Sequence, residues 1–233
     1  MSEVCRRRAR TCLPFGNSIV KIQEAYSEWS ATYDSDRNLT RDLDRAVTQE
    51  ALGELRCESI LELGCGTGKN TALLASIGTR VIALDFSAGM IEKARTKVEL
   101  PHVTFETADI TRRWPCKDAS FNLIVCNLVL EHIEDLSFIF SEASRVLMKT
   151  GKFFVCELHP FRQYQGTVAR FKRTETTEIA AFVHHLTDFT DAAIANGLSV
   201  ISMKEWWHEE DRHKPPRLAS FMFEKNSEAG FGL

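Results

Sequence analysis

Residues 60–74 read ILELGCGTGKNTALL, and the fold turns on them. Ile60, Leu61 and Leu63 make a short apolar run of the kind that forms a buried strand. Three glycines follow at alternate positions, and from Lys69 the apolar residues return at helical spacing. A strand passing through a glycine turn into a helix opens a parallel α/β unit whose turn meets a nucleotide-like ligand. Gly64, Gly66 and Gly68 let the backbone turn tightly and approach that ligand with no side chain between. The dinucleotide fingerprint would need glycine at position 69, where this chain has Lys69. Glu62, just before the loop, would repel a pyrophosphate but suits an amino group or a sulfonium. A nicotinamide cofactor is therefore the weaker of the two readings.

Outward from this stretch the pattern repeats. Strand-like runs fall at 59–63, 80–84, 103–107, 123–127, 152–157, 199–205 and 218–224, with helical runs between them at 70–76, 89–98, 136–148 and 188–196. Gly78, Gly151 and Gly197 follow helical runs and read as stops. Two amphipathic helices, 19–29 and 39–55, precede the first strand. With right-handed crossovers this gives a doubly wound, mostly parallel seven-stranded sheet that binds its ligand at the carboxyl ends of the strands, under an N-terminal helical cap.

Composition excludes several classes. A chain of 233 residues, 44% hydrophobic and 26% charged, can bury one sizeable core. No apolar run approaches the roughly 18 residues of a membrane helix, and the arginine-rich start lacks the apolar core of a signal peptide. The seven cysteines are odd in number, contain no CxxC pair and lie mostly in apolar segments, which reads as reduced core thiols in a cytoplasmic protein. A net charge of −3 provides no general field for nucleic acid. The expected organisation is a tail over 1–17, one domain over 18–225 with the cap at 18–56 and a lid at 159–185, and a second tail over 226–233.

Three acids stand at successive strand ends. Asp85, in VIALDFSAGM, comes about 20 positions after Gly64, where a carboxylate accepts hydrogen bonds from both ribose hydroxyls. Phe86 and Met90 can lie against an adenine face. Asp109, in TADIT, can accept from the adenine amine while the Ile110 backbone serves the ring edge. Singly, each Asp reads equally as a turn or cap residue. In order behind a glycine loop they point to one ligand.

These motifs resemble those of class I S-adenosylmethionine-dependent methyltransferases of the small-molecule type, over roughly residues 18–225. LELGCGTG is similar to the family's first motif, ALDFSAGM to its second, ETADI to its third and FNLIVCNLVLEHI to its fourth, with LMKTGKFFVCELHP as the next strand. The resemblance implies a Rossmann-like fold and S-adenosylmethionine as cofactor. It places Glu62, Gly64 and Gly66 at the methionine part, Asp85 at the ribose, Met90, Asp109 and Ile110 at the adenine and Asn127 near the sulfonium. Asn122 departs from the family's usual Asp, at a position that supports the fold. AYSEWSATYDSDRN resembles the cap of small-molecule members. Tyr26, Trp29 and Tyr33, three and four apart, share a helical face, and aromatic faces attract a sulfonium. Packing of the cap explains Tyr26 and Trp29 equally well.

Recognition of the acceptor is less determined. After the fifth strand, Arg162, Arg170, Lys172 and Arg173 lie in a stretch without acids that could hold an anionic acceptor, a carboxylate for instance, or form a solvated face. Methyl transfer needs alignment first, and a base only if the acceptor keeps its proton. His159, His185 and His132, in that order, are the candidate bases, with Glu157 as an alternative carboxylate. No metal is expected, since the adjacent His184 and His185 would diverge. The expected partner is a small-molecule acceptor, with no nucleic acid and no membrane; oligomeric state is left open. Two alternatives stand beside a methyltransferase: a catalytically silent binder of the same cofactor, and a nicotinamide oxidoreductase.

Overall fold

A computed structural model describes residues 19–30, 32–167, 170–172, 176–178 and 181–227. The two terminal tails lie largely outside these residues, as do Cys5, Cys12 and Arg173, and the side chains of Arg170 and Lys172. Two helices, α1 (Ile19–Trp29) and α2 (Leu39–Leu52), precede a seven-stranded sheet. The sheet contains β1 (Cys57–Leu63), β2 (Gly78–Asp85), β3 (Val103–Thr107), β4 (Phe121–Asn127), β5 (Leu147–Leu158), β8 (Leu198–Trp206) and β9 (Leu218–Lys225). Its order is β3-β2-β1-β4-β5-β9-β8. β1 to β5 run parallel, and β9 is antiparallel to both β5 and β8. The direction of winding reverses between β1 and β4, which opens a crevice at their carboxyl ends.

Helices α3 (Thr71–Ile77), α4 (Ala88–Lys97), α5 (Leu136–Val146) and α7 (Leu186–Ala195) connect the strands. Burial on both faces explains the near-continuous apolar runs of the central strands. On one face Leu61, Leu63, Ile124, Phe153 and Phe223 pack with Phe140 and Ala143 of α5 and Phe189 and Ala193 of α7. On the other, Ile60, Val81, Val125 and Phe154 pack with Val47 and Leu52 of α2 and Leu74 of α3. Helix starts follow local chemistry: Asn38 accepts from the amides of Thr40 and Arg41, Ser87 from Met90 and Asp135 from Ser137. Asn122 ties β4 to β1, its Oδ1 accepting from the Ser59 amide at 3.0 Å and hydroxyl at 3.1 Å.

Three expectations need correction. Helix α5 ends at Val146 rather than 148, because Leu147 already pairs with Phe121. Gly151 does not stop a helix but lies inside β5, where an added Cβ would press on Leu147 Cδ2 at 3.0 Å, whereas Gly78 does cap α3, its amide donating to the Leu74 carbonyl. Helix α7 starts at Leu186 rather than 188, its cap formed by the Asp188 carboxylate accepting from the His185 amide at 2.8 Å. Short elements of three to five residues were missed: 3-10 turns at Leu130–His132 and Glu209–Asp211, α6 (Pro160–Tyr164), and a hairpin of β6 (Arg170–Lys172) and β7 (Thr176–Glu178). Among the described residues no helix is long and apolar enough to cross a membrane.

Candidate functional site

The carboxyl ends of β1 to β4 open into one cleft of about 780 Å³, measured out to its mouth. Gly64 and Gly66 reach it from the loop after β1, Asp85, Phe86 and Met90 from β2 and α4, Asp109 and Ile110 from the turn after β3, and Asn127 from β4. Tyr26 and Tyr33 close it from the N-terminal side, and His132 from the loop after β4. Ten sequence-selected residues therefore meet with His132 around one space.

Two glycines are required for different reasons. Gly64 (φ 68°) has the Val129 Cγ2 methyl 2.2 Å from where a Cβ would stand, so any side chain collides with the β4 loop. A Cβ on Gly66 (φ 53°) would meet nothing within 4 Å, and would enter the cleft itself from a backbone conformation that disfavours side chains. Gly68 does not line the cleft. Its added Cβ would lie 3.3 Å from Ala94 Cβ, so this glycine admits α4 rather than a ligand.

Asp85 is 6% exposed, with one carboxylate oxygen accepting from the Gly66 amide at 2.9 Å and the other from Ser87 at 2.8 Å. Burial raises its pKa to about 6 against the pull of those two amides. Each oxygen keeps a lone pair for a further donor. Glu62 stands behind the loop, accepting from the Thr71 hydroxyl at 2.5 Å; burial, reinforced by Asp44 and Asp85, drives its pKa to about 8. Asp44 of α2 accepts from Asn70 and Asn127 at 2.9 and 2.7 Å, and burial lifts it to about 6. Asn127 donates also to the Thr48 hydroxyl at 2.7 Å, and its Oδ1 is buried with no partner among the described residues. A buried orphan acceptor, raised carboxyls beside it and an open glycine cradle together suit a ligand carrying a cationic amino group and a diol.

Comparison with known proteins points the same way. Residues 61–155 match the model of a methyltransferase domain. Over 142 residues the chain is 32% identical to a demethylmenaquinone methyltransferase of Clavibacter sepedonicus, covering 59% of this chain and 58% of that protein. Over 189 residues it is 26% identical to a malonyl-[acyl-carrier protein] O-methyltransferase of Methylovorus, covering 77% and 63%. The fold is shared with the structure of DhpI in complex with SAH, at TM-score 0.70 and 20% identity, covering 90% of this chain and 98% of that one. The chain carries a methyltransferase domain over residues 61–155 and shares the fold of solved S-adenosylmethionine-dependent methyltransferases. Its match spans 31% to 58% of the length of the first curated relatives. Lys69, which set the loop apart from dinucleotide binders, donates to the Arg41 carbonyl at 2.7 Å and pairs with Asp42 at 3.2 Å, at the N-terminal turn of α2.

The N-terminal cap is built from aromatic contacts. Helix α1 ends at Trp29, and Tyr33 follows in a turn, its amide bonded to the Trp29 carbonyl at 3.0 Å. The three rings therefore do not share one helix face. Tyr26 donates from or accepts at its hydroxyl to His132 Nε2 at 2.8 Å and packs 6.1 Å from Phe86. Tyr33 lies edge-on to Trp29 at 4.8 Å under the Arg41 guanidinium at 4.0 Å. Trp29, 3% exposed and donating to Asp36 at 2.8 Å, packs the cap and does not line the cleft.

The three histidines separate. His132 lies in the cleft. His159 caps α6, accepting from the Phe161 amide at 3.1 Å and bonding Glu205 at 2.9 Å; burial holds its pKa low against the pull of Glu205. His185 pairs with the Tyr164 hydroxyl, also outside the cleft. Glu157 is a brace: its Oε1 accepts the amides of Val129 and Leu130, both at 2.9 Å, and burial raises it to about 8. Arg162 is buried and pairs with Asp211 at 2.9 Å, so its charge is already matched and it forms no solvated face. Asp109 uses one oxygen in a local turn to Thr111, has the other 3.4 Å from Arg112 Nε, and still borders the cleft.

Leu128, absent from the sequence reading, borders this cleft and two neighbouring cavities with φ at 56°. A non-glycine residue held there is strained, and such strain collects at functional sites. Nothing in its residue type signals that. Asp44 could have been found, as an acid on the apolar face of a helix.

Proposed function

We propose that the chain transfers a methyl group from S-adenosylmethionine to a small-molecule acceptor, in a cytoplasmic setting and without nucleic acid. One observation carries the reading: the glycine loop, Asp85, the Asp109–Ile110 turn and Asn127, from four different strand ends, border a single cleft under an aromatic cap. S-adenosylmethionine supplies a methyl carbon already activated by positive sulfur. Gly64 and Gly66 admit its methionine part, with Glu62 and Asp44 as the charge behind the loop. Asp85 accepts from the ribose hydroxyls, Ile110 and Met90 border the adenine, and Tyr26 and Tyr33 exclude water and offer ring faces to the sulfonium. His132, linked to the Tyr26 hydroxyl, is the group placed to take a proton if the acceptor carries one. The names of the two relatives support a small or carrier-bound acceptor.

The test is incubation with methyl-labelled S-adenosylmethionine and a small-molecule extract, alongside calorimetric titration of the cofactor into wild type and Asp85→Ala. Binding with label appearing in a low-mass product is expected. Binding without any labelled product would instead leave a silent binder, and absence of binding would end the proposal.

A further inference from the structure

Beside the cofactor cleft, and sharing Tyr26, Tyr33 and Leu128 with it, lies a second cavity of about 950 Å³ measured to its mouth. The first turn of α2, Leu158 at the end of β5, Glu131, Thr167 and Arg217 form its other walls. A molecule here would be separated from the cofactor cleft only by the shared side chains.

The charges of these walls do not balance. Arg41 is 7% exposed, yet its guanidinium donates only to the backbone carbonyls of Tyr33 and Asp36, and no carboxylate pairs with it among the described residues. Arg217 donates to the Thr40 hydroxyl at 2.9 Å and to Asp211, and within this ion pair both its Nε and Asp211 Oδ1 are buried with no partner among the described residues. Asp211 is itself shared with Arg162 at 2.9 Å, so one carboxylate serves two guanidiniums. Glu131 is the acid in the wall, near Gln163 Nε2 at 3.4 Å and His132 Nε2 at 3.8 Å. Among the described residues three guanidiniums thus stand against two carboxylates, with Asp34 acting on Arg41 from a distance but paired with Lys97 at 3.0 Å, and the amino end of the 14-residue α2 adds its partial positive charge at the same place. Buried cations are ordinarily matched by an anion, and a guanidinium that holds only carbonyls, as Arg41 does, recognises a carboxylate through charge-assisted bonds.

We infer that this cavity is the acceptor subsite and that Arg217 and Arg41 select an acceptor bearing a carboxylate. The inference rests on the methyltransferase reading for the word acceptor, but not for the anion. It relocates anion recognition from the segment after β5, where the sequence suggested it, to the residue before β9.

The test uses the full chain, with and without saturating S-adenosylhomocysteine. Monocarboxylates from acetate to decanoate and their primary amides are titrated in parallel by ligand-observed NMR. The expected result is a carboxylate bound at least tenfold more tightly than its amide. Arg217→Gln should remove that preference and Arg217→Lys retain part of it, with the Kd for S-adenosylhomocysteine unchanged in both. Arg217→Gln leaves Asp211 paired with Arg162, so the fold keeps its neutralised acid. Equal binding of acid and amide, or no binding of either to wild type, would overturn the anion site. Carboxylate preference in a protein that does not bind S-adenosylhomocysteine would uphold the anion site and overturn the methyltransferase reading beneath it.

Discussion

The two cavities that meet at Leu128 are built in opposite ways. The first cleft is assembled from short stretches that each end a parallel strand, so its residues come in sequence order: Gly66, Asp85, Asp109, Asn127. The second cavity joins Thr40 of α2 to Arg217, which are 177 positions apart. One is a property of the fold's winding, where every crossover returns a loop to the same edge. The other depends on how the cap and the final hairpin happen to close that edge.

The contrast can be tested from the strongest effect down. Gly64→Val should abolish measurable cofactor binding, because its side chain would occupy space already held by Val129 and force an unfavourable φ. Calorimetry is the readout, with circular dichroism to show that the sheet persists. Asp85→Ala should cost about 1.5–3 kcal/mol for each charged hydrogen bond lost, and a Kd equal to wild type would remove Asp85 from the ribose site. Gly68→Ala should leave the Kd within about threefold while lowering Tm, since its neighbour is Ala94 of α4 and not the cleft.

Acidity supplies a subtler comparison. Glu62 and Glu157 are raised to about 8, Asp44 and Asp85 to about 6, and all four are buried. In the unfolded chain these groups release their protons near pH 4. Between that range and pH 8 the folded protein therefore holds more protons, so its stability falls as pH rises. Thermal scans of the cofactor-free protein should show a declining Tm from pH 5.5 to 8.5. A cationic ligand beside Glu62 lowers its pKa, so binding expels a proton and cofactor affinity should strengthen as pH rises toward 8. Glu62→Gln should flatten that dependence; a pH-independent Kd in wild type would show that Glu62 does not sense the ligand. The smallest effect is expected at Tyr26→Phe, which removes the hydroxyl facing His132 but keeps the ring, for a change of about 1 kcal/mol or less in cofactor binding.

Much of the first cavity was readable because its signals are local. A glycine loop, an Asp after the second strand and an Asn after the fourth each sit within a few residues of an apolar run, so periodicity alone places them. Gly68 was misassigned because spacing cannot distinguish a glycine that faces a ligand from one that faces Ala94. The histidines were ranked in the wrong spatial order for the same reason: His159 ends a strand as His132 follows one, and only tertiary contacts show that Glu205 and the Phe161 amide have claimed it. The four cations after β5 suggested a basic lid. Arg162 instead meets Asp211, an acid 49 positions later that no spacing rule connects to it. Arg41 was invisible as a charge, since on a surface helix an arginine normally faces water.

The sheet order has a consequence for how the chain acquires its shape. β9 is the last strand in sequence but fills an interior slot, with β5 on one side and β8 on the other. β8 is made earlier and has no partner until β9 arrives, while Ile201 and Met203 on it stay exposed even in the finished fold. Closure of this edge therefore requires β9 to pair with β5 across a long stretch of chain, a non-local contact of the kind that slows folding. Residue 217 takes its place only at that closure, so a chain arrested before it would display a formed glycine loop and no second cavity.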